Sequence, residues 1–247
     1  MPRFFLPPAA FASDTVTLTG EDCRHISRSL RMAVGDEITL SDGEGVEYTA
    51  RLSAFTSDSV TAKLLSSRPG EGEPPVRICL YQGNPKGDKL ELITQKAVEL
   101  GVFSVTPFES SRCVARIRAD RTDKQTARLA RIAAEAAGQC GRARIPHVGT
   151  PLSFAEALRE AAATCERILF CYEEERECSL RQAVTAAMED GVSSLAVFVG
   201  SEGGFSPEEA DAARNAGAVC ISLGKRILRC ETAPLYALAA IGCIWDF

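Results

Sequence analysis

VFVGSEGGFSPEEADAARNAG, Val197–Gly217, passes from an apolar run into three glycines and then into a helical pattern. The run that begins at Leu195 stops at Gly200, which reads as a buried strand ending in a glycine turn. Ser206 has Glu209 three residues on and Pro207 between them, the signature of a capped helix start. Strand, tight turn and helix in that order point to an α/β fold with a parallel sheet, in which ligands sit beyond the carboxyl ends of the strands.

The turn is a poor phosphate cradle. Its spacing is neither G-x-G-x-x-G nor a P-loop. A cradle needs free N–H groups and the positive helix end, yet the Ser206–Glu209 cap takes donors and Glu202, Glu208 and Glu209 add negative charge. Two readings remain: a site for a neutral or cationic ligand against exposed backbone, or a turn that only joins strand to helix.

Outward from this stretch, the 247 residues suit one large domain or two modest ones. With 45% hydrophobic and 25% charged residues the composition is that of a soluble globular chain, and no apolar stretch is long enough for a membrane span. The N-terminus, MPRFFLPPAAFASD, is broken by Pro2, Pro7 and Pro8, so a cytoplasmic protein without a signal peptide is expected. Ten cysteines without C-x-x-C and only two histidines give no metal spacing. Cys79, Cys171, Cys220 and Cys243 fall in apolar runs and read as buried thiols.

The net charge of −5 hides an asymmetry: residues 1–72 carry −3, residues 73–150 carry +5 and residues 151–247 carry −7. The basic middle contains Arg112, Arg116, Arg118, Arg121, Lys124, Arg128, Arg131, Arg142 and Arg144. Such a stripe binds phosphates whatever the total charge, or serves as a solvated helix face.

Residues 1–70 read as a small β-barrel. The short β-rich runs VTLTG, DEITLSDGEG, VEYTARLSAF and DSVTAKLL are interrupted by one helix, EDCRHISRSLRM. Its spacing puts Ile26 and Leu30 inward and Arg24, Arg28 and Arg31 on one face. SSRPGEGEPP has linker composition, and a second domain over residues 74–247 alternates strands with helices. Gly83–Gly87, Cys171–Tyr172, Gly200–Gly204 and Leu223–Gly224 are its strand ends.

GSEGGFSPEE (from Gly200) with SLGKRILRCETAPLYAL (from Ser222) resembles the SPOUT-type methyltransferases. The likeness is greatest to the bacterial family that methylates N3 of a uridine in 16S ribosomal RNA. HISRSLRMAVGDEITLSDGEG, NPKGDKLELITQKAVELGVFSVTPFESSRCV and EAAGQCGRARIPHV agree in the expected order. The resemblance implies a PUA-like barrel followed by a knotted α/β domain with a mostly parallel sheet. It also implies S-adenosylmethionine as donor, 16S rRNA in the small ribosomal subunit as substrate, a homodimer, and neither metal nor membrane. By the same resemblance Gly200, Glu202, Gly203 and Gly204 form one donor loop and Leu223, Gly224, Ile227 and Leu228 the next, bordered by Cys171 and Tyr172. The residues alone also allow Ile227 and Leu228 to be core.

Methyl transfer to N3 needs alignment and loss of the imide proton. Arg229 is the candidate to stabilise the uridine anion. Glu231 is the candidate to position the base or take its proton; a structural ion pair between the two is the alternative. Three departures stand out: Ser201 where the family pattern has Pro, and Cys230 and Cys140 where it has Thr and Ser. A thiolate at Cys230 is not needed for N3 chemistry. The competing functions are a knotted methyltransferase acting on a ribose 2′-oxygen or on transfer RNA, and a non-catalytic RNA-binding factor.

RNA contacts are expected from Arg24, Arg28, Arg31, Lys86, Arg112, Arg116, Gln139 and Arg142. Phosphate contacts position RNA without reading its sequence. Affinity for small-subunit RNA is therefore expected to fall steeply as salt is raised, measured by filter binding across a salt series. Salt-independent binding would remove this assignment.

Overall fold

The computed structural model describes residues 1–116, 120 and 122–245, so Arg118 and Arg121 of the basic stripe lie outside the described residues. The chain divides into two compact units, Met1–Glu73 with Ala137–Ile145, and Pro74–Ala136 with Pro146–Phe247.

In the first unit, alternating apolar residues build the sheet. Strands β1 (Arg3–Phe5), β2 (Thr15–Thr19), β3 (Glu37–Ser41), β4 (Val46–Phe55) and β5 (Ser59–Pro69) pair in the order β1-β3-β4-β5-β2. Val16 and Leu18, Ile38 and Leu40, Ala50 and Leu52, and Val60 and Ala62 all point to one core, closed by Phe4 and Ile26. The short β1, hidden in the sequence by flanking prolines, pairs parallel to β3. Segment 137–145 joins this unit through Ser41, whose hydroxyl donates to the Ala143 carbonyl at 2.6 Å.

The expected helix is shorter and wider than its spacing implies. It comprises α1 (Gly20–Arg24) and a π turn over His25–Ser29, in which the Leu30 N–H donates to the His25 carbonyl at 2.9 Å. Ile26 is buried as expected, but the wider turn carries the next apolar residue off that face. Leu30 is accordingly 39% exposed. Arg31 then turns into the left-handed region, φ 53°, so it leaves the row formed by Arg24 and Arg28.

The second unit carries the alternating pattern. Its strands are β6 (Arg77–Gly83), β7 (Ser104–Glu109), β8 (His147–Val148), β9 (Leu152–Ser153), β10 (Arg167–Cys171), β11 (Ser194–Val199) and β12 (Val219–Ile221). Its helices are α2 (Lys89–Glu99), α3 (Thr122–Cys140), α4 (Phe154–Thr164), α5 (Leu180–Glu189), α6 (Pro207–Asn215) and α7 (Thr232–Trp245). The last turn of α3 groups with the first unit. Every strand pairing here is parallel, in the order β12-β10-β11-β6-β7-β8, with β9 also on β7.

The strands are apolar throughout because both faces are covered. One face is aromatic: Tyr81, Phe108, Phe170 and Phe198 pack with Phe205 and the alanines of α4 and α6. Phe205 lies 4.1 Å from Phe170, centroid to centroid. It precedes the α6 cap and shares this cluster with Ala210, forming a hydrophobic staple. The glycine turn is thus tied to the core at its exit. Cys171 and Cys220 are buried as expected, whereas Cys79 is half-buried and Cys243 exposed on α7; all ten thiols are free.

Phe205→Ala is expected to cost about 3–5 kcal/mol of stability in urea denaturation. A loss below about 1 kcal/mol would mean that the ring cluster is not a packed core.

Candidate functional site

A parallel sheet leaves its crevice where neighbouring connections diverge. Here β10 is followed by β11 on one side, and the chain then returns over it to place β12 on the other. A cavity of about 490 Å³ opens at the carboxyl ends of these three strands. That volume suits a small-molecule ligand.

Backbone contact sets the floor of the cavity. A side chain at Gly83 would bring a Cβ to 2.6 Å from the Ser201 nitrogen, so β6 can meet the glycine turn only as glycine. Beside it the buried Gln82 amide donates to the Gly200 carbonyl at 3.2 Å. The turn closes with the Gly204 N–H donating to the Ser201 carbonyl at 3.0 Å. Gly204 has φ 62°, and a Cβ there would collide with the Glu173 carboxylate.

The cap beyond the turn forms as its spacing implies. The Ser206 hydroxyl accepts from the Glu209 N–H at 3.2 Å, and Glu209 accepts from the Ser206 N–H at 2.9 Å. The other Glu209 oxygen accepts from the Ser111 N–H at 2.7 Å. The helix end is therefore closed to a phosphate.

The structure brings together all ten residues expected at the donor loops: Cys171, Tyr172, Gly200, Glu202, Gly203, Gly204, Leu223, Gly224, Ile227 and Leu228 line the cavity. Ile227 is 83% exposed, which removes its alternative reading as core. Arg229 also lines the cavity, and its side chain is 85% exposed. Glu231 stands behind it, 4.0 Å from the Arg229 guanidinium.

Three more residues enter that the sequence did not single out, together with Ser201, which it marked only as a departure from the family pattern. Glu173 adds a second carboxylate to the wall, beside Gly204. Ser201 is buried there with its hydroxyl unpartnered among the described residues, and Gln82 underlies the turn. Lys89, at the start of α2, donates to Glu202 at 2.9 Å and lies 3.2 Å from Glu231. Nothing local marks these positions, because their partners are more than a hundred residues away along the chain for Lys89 and Gln82.

These contacts set the ionisation of the site. Burial pushes Glu202 up, but the Lys89 ammonium and backbone N–H groups together bring it down to about 2. Glu202, then Glu231, raises Lys89 above the ordinary lysine range. Glu231 is held low by its own backbone N–H and, against some burial, by the Cys230 thiol and Lys89. Burial, then the hydrogen bond to Glu231, pushes Cys230 up to about 12. It is a thiol that donates to Glu231 at 3.3 Å, not a thiolate. At neutral pH the cluster around Lys89 therefore presents two carboxylates, one ammonium and one neutral thiol.

The residues expected to contact RNA divide between the units. In the first, Arg24, Arg28, Arg31 and Gln139 are exposed. Arg142 departs from the expectation: it is 3% exposed and pairs with Glu73 at 2.6 Å, so it braces the segment instead of facing solvent. In the second unit Lys86, Arg112 and Arg116 are exposed. The basic stripe is partly neutralised, since Arg128 pairs with Glu91 at 2.8 Å and Arg131 with Glu135 at 3.7 Å. Among the described residues no cluster suits a metal ion, and no helix is long and apolar enough to cross a membrane.

Comparison with known proteins agrees with this geometry. An RNA methyltransferase domain profile matches residues 72–242, and an RNA methyltransferase PUA domain profile matches residues 18–65. The ribosomal RNA small subunit methyltransferase E of Bacillus subtilis is 36% identical over 92% of this chain and 89% of its own. That of Mycobacterium bovis is 32% identical over 98% and 93%. The crystal structure of the Neisseria gonorrhoeae ribosomal RNA small subunit methyltransferase E, bound to S-adenosyl methionine, superposes with a TM-score of 0.86 at 35% identity, covering 100% of this chain and 99% of that one. A Legionella pneumophila methyltransferase in complex with the same cofactor gives 0.83 at 30% identity, over 98% and 96%. With likeness in sequence and in fold running along both units, this chain belongs to the ribosomal RNA small subunit methyltransferase E family.

Proposed function

We propose that this protein transfers a methyl group from S-adenosylmethionine to N3 of a uridine in 16S ribosomal RNA of the small subunit. The observation that carries the reading is the cavity at the ends of β10, β11 and β12, where both donor loops meet Arg229 and stand next to Glu231. Its lining fits the donor. Backbone at Gly200–Gly204 and Leu223–Gly224 offers hydrogen bonds for an adenine, and Ile227 and Leu228 offer apolar cover. Glu173 and Glu202 favour a cation over an anion.

When bound, S-adenosylmethionine supplies an electrophilic methyl on a sulfonium. The protein's part is placement, which can contribute roughly 7–11 kcal/mol in favourable systems. Arg229, extended into solvent at the mouth, is placed to meet a carbonyl oxygen of the base and stabilise the imide anion. Glu231, ionised and hydrogen-bonded, is the acceptor for the N3 proton or orients the base through it. The neutral Cys230 thiol keeps Glu231 in place and forms no adduct.

The same proposal includes a domain boundary near residues 70–74, a cytoplasmic location and a homodimer. Tyr236, 45% exposed on the apolar α7, favours the last. It also includes the knot; the return of the chain past β11 to β12 on the far side of β10 is compatible with a threaded segment. Arg24, Arg28, Arg31, Lys86, Arg112, Arg116 and Gln139 would hold the RNA.

Incubation with isotope-labelled S-adenosylmethionine and unmodified small subunits is expected to place the label in 3-methyluridine. Label in a 2′-O-methylated nucleoside would overturn the target, and no label without donor binding would overturn the transferase reading. Gly204→Ala should weaken donor binding roughly tenfold or more by calorimetry, since it forces a side chain into a left-handed turn against Glu173. Unchanged affinity would place the donor elsewhere.

A further inference from the structure

Lys89 sits where its own helix disfavours it. It is the first residue of α2, and a cation at a helix N-terminus opposes the macrodipole. Asp88 before it makes no side-chain cap, so local structure does not account for the position. Tertiary partners do. The ammonium reaches Glu202 at 2.9 Å, Glu231 at 3.2 Å and the Cys230 sulfur at 3.6 Å. An ammonium has three hydrogens, and these three partners can take all of them. One side chain thereby joins the start of α2, the glycine turn and the entry to α7.

We propose that Lys89 is a positioning residue for methyl transfer: its ammonium holds Glu231 at a set place relative to Glu202, and so fixes the base-facing carboxylate against the donor loop. The proposal rests on the reading of Glu231 given above. It adds a dependence that Glu231 and Arg229 alone would not have.

The charged and titratable groups around Glu231 are few. Lys89 faces it from α2, Arg229 and Cys230 from its own segment, and Glu202 stands behind Lys89 in the turn. Arg229 is 4.0 Å away and largely in solvent, so Lys89 is the stronger cation. Lys89 favours the ionised carboxylate, so its removal raises the Glu231 pKa. Activity that needs ionised Glu231 is then lost at a higher pH as acid is added, and the acid limb of the kcat profile moves upward.

The test compares the full-length protein with Lys89→Met and Lys89→Arg. It measures S-adenosylmethionine affinity, kcat and KM for small subunits across pH, and the Glu231 titration by carboxyl-carbon NMR. For Lys89→Met the expected result is donor binding within about threefold, an unchanged RNA KM and a roughly ten- to hundredfold lower kcat. The Glu231 titration and the acid limb should both move up by about one pH unit. Lys89→Arg should recover most of kcat. In a Glu231→Gln background, Lys89→Met should cost less than about twofold more in kcat.

Wild-type kcat in Lys89→Met, or a lost kcat with an unmoved Glu231 titration, overturns the proposal. So does a full additional loss in the Glu231→Gln background. Should Lys89→Met not fold, Lys89→Arg with a displaced Glu231 titration but wild-type kcat, or with a lowered kcat and an unmoved Glu231 titration, also counts against it. If the wild-type protein labels no uridine N3, the functional reading falls, and the Glu231 titrations still decide whether Lys89 sets that carboxylate.

Discussion

The end of β6 meets the glycine turn backbone to backbone, and the site is built outward from that contact. Gly83 lies so close to Gly200 and Ser201 that no side chain fits between them, and Gln82 fastens the Gly200 carbonyl from below. With the turn seated there, Phe205 enters the aromatic core and the Ser206 cap starts α6. The turn therefore has little freedom at either end. Its remaining backbone faces the cavity, where a ligand can lie against it.

Charge then decides what kind of ligand. The α6 cap uses the donors that an anion would need, and Glu173 and Glu202 make the wall negative. Glu202 does not stay ionised by exposure to water; burial alone would push it the other way. Lys89 keeps it charged and, through the same ammonium, tells on Glu231. The glycine turn and the entry to α7 thus share one cation. Arginines elsewhere that look free along the chain are partly committed: Arg142 is internal, and Arg128 and Arg131 have acidic partners. What faces solvent as cationic surface is a smaller set than the composition suggests.

Period and capping made most of the secondary structure legible. The alternation of apolar strands with amphipathic helices, the Ser-x-x-Glu start of α6 and the β-rich runs of the first 70 residues all carry their signal within a few neighbours, which is why they could be read without coordinates. The lining of the cavity was legible for a related reason: its glycines and the Leu223–Leu228 run each lie together in sequence, at strand ends that the parallel order brings to one edge. The π turn escaped, since five-residue spacing of hydrogen bonds leaves no composition mark. The short β1 escaped because its prolines read as a break.

The sequence by itself determined the α/β class, the strand-to-helix turn and the family likeness, because each depends on local pattern or on linear order. Only the tertiary structure decided which charges meet. Lys89 lies 113 residues from Glu202 in the chain, Gln82 lies 118 from Gly200, and Arg142 lies 69 from Glu73. Electrostatic and hydrogen-bond energies depend on separation in space and on burial, and neither is written in residue order. For that reason the ammonium that pairs with Glu202 and Glu231 looked like one basic residue among 28, and an arginine that looked available proved to be buried.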